Sequence, residues 1–352
     1  MSQRPSRILS VVLALFAGAA LLLGGTSSVS AGPSESNPLA DVKLYVDRDS
    51  PSWVQWERYE RSGETSKANL IRKIATEPRA MWLGRFTRPR FEVKVRRRID
   101  AAVAEGAVPL FTVMRAQATR CGPRYTAGGP AEDASTRAWY DDLAAAIAGD
   151  RVVIAFEPDS LGTIDCQAPS RRDDRIRLLR YGVDVLSRLP NATIYIEGGA
   201  SDWEPARRTA RQLRAIGIAK VRGFMLNATH QDWTGNNIEH GLQISRLTGG
   251  KHFVINTAEN GRGPIHHWLP NGRRLTVWCN PPHRGLGPPP TTQTANPMVD
   301  AYLWINRPGY GQSCAGQKIA WSPRKALAYS RNATNWQGPP RGTRNGFFAG
   351  RR

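Results

Sequence analysis

The chain has 352 residues and a formal net charge of +20, from 49 Lys and Arg against 29 Asp and Glu. That length suits one large domain, and beyond residue 31 no stretch is apolar enough to span a bilayer, which excludes a multi-span membrane protein. The four cysteines, Cys121, Cys166, Cys279 and Cys314, lack the close C-x-x-C spacing of a zinc site, and the histidines form no metal-ligand spacing, so neither metal nor cofactor is expected.

Arg4 and Arg7 precede an apolar run from Ile8 to Leu23, and small residues Val29-Ser30-Ala31 follow it. This is the layout of a secretory signal, so residues 1–31 are expected to be removed and the mature protein to be secreted, with no membrane association afterwards. An even number of cysteines in an exported chain suggests two disulfides; counting leaves all three pairings open. Residues 32–41 read as a loose segment, residues 42–330 as a single domain and residues 331–352, rich in Arg, Gly and Asn, as a disordered tail.

Within the domain one alternation repeats: a short apolar run, a polar loop, a helix-period segment. The runs are Val42 to Val46, Ala80 to Phe86, Val108 to Met114, Val152 to Phe156, Thr193 to Ile196, Val221 to Leu226, His252 to Ile255, Leu275 to Cys279 and Tyr302 to Ile305. Helices are expected over Glu64 to Thr76, Phe91 to Glu105, Arg137 to Ala148, Asp173 to Leu189, Pro205 to Ile216 and Asn236 to Leu247. Strands alternating with helices imply a parallel α/β sheet, and this many units in one domain favours closure into a barrel. Basic runs such as Arg96-Arg97-Arg98 fall on amphipathic helix patterns and alternate with acids, so they read as solvated faces rather than a nucleic-acid site.

Chemistry concentrates at the carboxyl ends of these strands, the functional edge of a barrel. After Val152 to Phe156 come Glu157 and Asp159, with Pro158 stiffening the turn between them. Asp159 is the candidate catalytic acid; a loop ion pair and a helix cap are the simpler roles for the two carboxylates. Trp82, Trp203, Trp233, Trp268, Trp278 and Trp304 sit at or near the same edge. A cleft lined with tryptophan suits sugar rings, although any one of them alone reads more readily as core.

Seven motifs stand in order: A-M-W-L (Ala80 to Leu83), C-G-x-x-Y-T-A-G-G (Cys121 to Gly129), E-P-D-S-L-G (Glu157 to Gly162), G-F-x-L-N (Gly223 to Asn227), N-G-x-G (Asn260 to Gly263), W-C-N-P-P-x-R-x-L-G (Trp278 to Gly287) and D-A-Y-L-W (Asp300 to Trp304). Together they resemble glycoside hydrolase family 6, secreted β-1,4-glucanases that are mainly cellulases. The resemblance implies a distorted, incomplete parallel (β/α) barrel, inverting hydrolysis and disulfides Cys121 to Cys166 and Cys279 to Cys314. It places Asp159 on the general acid, and Trp82, Thr126, Trp203, Asn227 and Trp278 on sugar-binding positions. A polysaccharide is the expected partner and a monomer the expected state.

The chain also departs from that pattern. The family's R-D-C is Thr119-Arg120-Cys121, its D-A-G-H is Glu197-Gly198-Gly199-Ala200, and its K-P-x-G-E-S-D-G is Asn306 to Ser313 with no acid. An inverting glycosidase needs a second carboxylate about 6.5–9.5 Å from the first. Glu197, Glu157 and Glu259 are the candidates to partner Asp159. The alternative is a carbohydrate-binding protein with impaired catalysis, in one form for an anionic cell-wall glycan met by Arg115, Arg120 or Arg262.

Overall fold

The computed structural model describes residues 36–84, 90–116, 130–272, 274–277, 279–294, 296–312 and 319–334. The expected signal segment and nearly all of the expected basic tail lie outside these residues. Among them are eight helices: α1 (Pro51–Arg61), α2 (Thr65–Ala75), α3 (Arg90–Ala104), α4 (Pro130–Ile147), α5 (Pro169–Leu186), α6 (Ala206–Ile216), α7 (Thr234–Leu247) and α8 (Pro323–Arg331). The described strands are β1 (Met81–Leu83), β2 (Leu110–Val113), β3 (Val152–Phe156), β4 (Ala192–Glu197), β5 (Gly223–Leu226), β6 (His252–Asn256), β7 (His266–Trp268), β8 (Arg274–Thr276) and β9 (Val299–Leu303).

Strands β1 to β6 and then β9 pair side by side in that order, all parallel. The curl brings the sheet's two edges together: the Ala80 N–H donates to the Trp304 carbonyl at 3.0 Å and the Trp82 indole N–H to the Ile305 carbonyl at 2.8 Å. This is the distorted (β/α) barrel that the family resemblance implies. Burial on both faces explains the continuous apolar runs. In β3, Val152, Ile154 and Phe156 pack in the outer core with Leu143 and Ile147 of α4 and with Leu178, Leu179 and Val183 of α5. Val153 and Ala155 point the other way, into an inner core with Leu110, Tyr195, Met225, Val254 and Ala301.

Two expected strands are corrected. Val42 to Val46 is half-exposed and meets β2's leading segment at one bridge, Leu44 to Val108, because Lys43 and the polar residues after Val46 leave no second apolar face to pair. Leu275 to Cys279 is no barrel strand: β8 pairs antiparallel with β7, and the Asn271-Gly272 turn between them, with Gly272 at φ +76°, closes a hairpin. Helices α1 and α8 were not expected, yet each begins at a Ser-Pro step. Ser50 and Ser322 accept from the N–H groups of Trp53 (3.3 Å) and Lys325 (3.2 Å), and the proline occupies the first turn, where no N–H is needed.

Candidate active site

The Glu157-Pro158-Asp159 turn leaves β3 with both acidic residues at positive φ, +56° and +68°. Non-glycine residues hold such a conformation only where the surroundings compel it. For Glu157 the compulsion is visible. Its fully buried carboxylate accepts the N–H groups of Arg115 (2.9 Å) and Ala116 (2.8 Å) and the Tyr140 hydroxyl (2.7 Å). These bonds tie the turn to the loop after β2 and to α4. Burial pushes the Glu157 carboxyl up to about 6, opposed by the hydrogen bonds from Tyr140, Ala116 and Arg115.

Glu197, the last residue of β4, secures the second half of the turn. Its buried carboxylate accepts the Leu161 N–H at 2.7 Å and also the N–H groups of Asp159 and Gly162. Three donors from one loop converge on one side chain, so Glu197 acts as an anchor beneath Asp159. Burial first, and then the charge of Asp159, raises the Glu197 pKa well above the usual carboxylate range.

Asp159 itself is half-buried, and its Oδ1 accepts the Thr229 hydroxyl at 2.5 Å from the loop after β5. Burial raises its pKa; the Thr229 bond and the positive charge of His230 oppose the rise. His230 is held from behind by Asp202, with Nδ1 and Oδ1 2.9 Å apart, and Asp202 also accepts the Thr276 hydroxyl at 3.0 Å. Burial would push His230 down, but its bond to Asp202 and that residue's charge lift it above the usual histidine value. Thr229, His230 and Asp202 were not singled out as catalytic from the sequence, and no spacing marks them, because they meet Asp159 only through the fold.

The tryptophans divide. Trp233 and Trp304 are core residues, 3% and 1% exposed, whereas Trp268 is 56% exposed on β7. Trp203 is half-buried and stacks on His230, with centroids 4.8 Å apart and planes 13° from parallel; its six-membered ring lies so close over Gly162 that a Cβ there would come within 2.3 Å. Trp82 carries the Arg307 guanidinium 5.2 Å from its ring centroid. Asn227 is wholly buried. Its amide donates to the Asp232 and Asn256 carbonyls and accepts the Asp232 N–H, each at 3.1 Å, which makes it a loop brace with no surface left for a sugar. Thr126, Trp278, Cys121 and Cys314 lie outside the described residues, and no described cysteine carries a free thiol.

Glu259, beyond β6, is 2% exposed. Its Oε2 accepts the Asn306 amide at 3.1 Å and its Oε1 has no partner. Burial pushes its pKa from 4.5 to about 7 against the charges of Lys325 and Arg307. The folded state therefore binds more protons than the unfolded chain between those values. Its contribution is complete below about pH 4.5 and is lost as pH climbs through 7. Glu259→Gln should match the wild type at pH 4 and exceed it by about 2–3 kcal/mol at pH 8. Urea midpoints at the two pH values check this, and a difference that does not grow with pH would refute it. Among the described residues no cluster of His, Cys, Asp and Glu could hold a metal ion.

A sequence profile of the glycosyl hydrolases family 6 matches residues 39–337, which include every described helix and strand. The chain belongs to this family. Family 6 relatives include endoglucanase A of Cellulomonas fimi, 34% identical over 295 residues (82% of this chain, 61% of that protein). Endoglucanase A of Thermobispora bispora is 29% identical over 316 residues (88% of this chain, 65% of that protein). The chain thus spans less than two thirds of the length of these two proteins. Among solved structures, the endoglucanase Cel6 of Mycobacterium tuberculosis, in complex with methyl-cellobiosyl-4-deoxy-4-thio-β-D-cellobioside, superposes with a TM-score of 0.73 at 36% identity. That match covers 84% of this chain and 99% of the other.

Proposed function

We propose that this protein is a secreted, monomeric family 6 glucanase that cleaves β-1,4-linked glucan by inverting acid/base hydrolysis, with Asp159 as general acid. The disulfides Cys121 to Cys166 and Cys279 to Cys314, and removal of residues 1–31, belong to the same proposal. The observation that carries it is the Asp159–Glu197 pair at the mouth of a family 6 barrel. Glu197 is buried and Asp159 half-buried, and the charge of one opposes ionisation of the other, so the pair holds a proton more tightly than an isolated carboxyl would. Burial raises the pKa of both groups, and the reactive form is the one in which the shared proton sits on Asp159, whose Oδ1 also accepts the Thr229 hydroxyl. Asp159 gives that proton to the departing glycosidic oxygen as the C–O bond breaks. Water adds to the anomeric carbon from the opposite face, releases a proton to solvent, and the configuration inverts. Glu157, saturated by protein donors, holds the turn and stays out of the proton traffic.

Proton NMR of the first sugar released from a β-1,4-glucan is the direct test. The α-anomer is expected to appear first, and a β-anomer would overturn the inverting mechanism. A second reading, a glycan-binding protein without turnover, draws on Gln312, which stands where the resemblance places an acid. Gln312 is locked to Asn280: the Asn280 N–H donates to Gln312 Oε1 at 2.6 Å, and the Gln312 N–H donates to Asn280 Oδ1 at 2.9 Å. Binding without release would favour that reading.

A further inference from the structure

Arg307 follows β9 and lies between two aromatic rings, its guanidinium carbon 5.2 Å from the Trp82 centroid and 4.8 Å from that of Tyr310. Stacking fixes the plane of the guanidinium and leaves its edge for hydrogen bonds. Yet its Nε is buried without a partner, and among the described residues no carboxylate lies within ion-pair distance of it. Burial lowers its pKa, the mark of a cation short of compensation.

The surroundings add charge of the same sign. Arg79 donates to the hydroxyls of Ser50 and Ser52, at 2.9 and 2.6 Å, and Lys325 to Asn280 Oδ1 and the Tyr310 carbonyl, at 3.1 and 2.6 Å. All four acceptors are neutral. Glu259 is the acid whose charge acts on Arg307, and burial keeps it protonated below about pH 7. Trp203 repeats the pattern across the mouth, with His230 on its ring. A neutral sugar ring stacking on Trp82 from that side would have to displace the guanidinium, whereas a carboxylate reaching the guanidinium edge would complete it.

We propose that Arg307, clamped between Trp82 and Tyr310, recognises a carboxylate on the bound glycan, so that the β-linked chain this cleft takes carries uronate groups. This rests on the glucan-cleaving reading above and names its substrate class. A planar guanidinium pairs bidentately with a carboxylate, and one unpaired cation matches the single charge of a uronate.

The test compares two oligosaccharides of equal length, a neutral β-1,4-gluco-oligosaccharide and its counterpart oxidised to the carboxylate at C6. Each is titrated calorimetrically into the full chain carrying Asp159→Asn, which prevents turnover. The carboxylated ligand is expected to bind at least about tenfold more tightly at low ionic strength, with the preference shrinking as salt rises. Adding Arg307→Gln should abolish the preference; Arg307→Lys, which keeps the charge and loses the fork, should retain part of it. Equal affinities, or a preference that survives Arg307→Gln, overturn the uronate proposal alone. Binding of neither ligand overturns the glucan-cleaving reading with it.

Discussion

Asp159→Asn is expected to cut hydrolysis of β-1,4-glucan by about 10³-fold while leaving glucan affinity within about twofold, since general acid catalysis contributes roughly 10²–10⁴. The amide is nearly isosteric and can still accept the Thr229 hydroxyl, so the loop and cleft keep their shape. What it cannot do is give a proton to an alkoxide leaving group. The defect should therefore depend on that leaving group: a glycoside with a nitrophenolate, which departs without protonation, should lose far less than the polysaccharide does. Rates on both substrates with both proteins check this. Unchanged sugar release from the polysaccharide would remove Asp159 from the acid role, and an equal loss on both substrates would point to a binding defect instead.

Much of the scaffold is readable in the chain itself, because each barrel strand is buried on both faces and shows as a compact apolar run. Val152 to Phe156 coincides with β3, and the two acids follow directly at the strand's carboxyl end. Two local signals were passed over: the Ser50-Pro51 and Ser322-Pro323 helix starts, and the Asn271-Gly272 turn that makes a hairpin of what resembled a barrel strand. Other features have no local signal. Glu197 looks like a free carboxylate at a strand end, but the fold delivers three N–H groups to it from residues nearly forty positions earlier. Asn227 looks like a sugar ligand and is consumed by carbonyls and an N–H of neighbouring loops. His230 reads as a polar loop residue until Asp202 is placed behind it. Apart from the two bonds between Asn227 and Asp232, five residues on, these are long-range hydrogen bonds, and no spacing along the chain encodes them.

Glu197→Gln puts the anchoring role at risk directly and is expected to lower glucan hydrolysis by two to three orders of magnitude, with a shifted pH profile. Two effects combine. A carboxylate can receive all three N–H groups of Asp159, Leu161 and Gly162; an amide offers one accepting oxygen and turns an NH₂ toward donors. The turn, strained at Asp159 with φ +68°, then loses what holds it, and the acid drifts from its aim. Separately, Asp159 and Glu197 titrate as a pair in which the charge of Asp159 opposes ionisation of Glu197. Without Glu197 the pair's upper titration step disappears, and the alkaline limb of the kcat profile should move to lower pH. A purely structural loss would reduce the amplitude and leave the limb in place, which separates the two effects. Wild-type kcat with an unmoved limb in Glu197→Gln would show that Asp159 draws its raised pKa from burial alone and that the turn stands without its anchor.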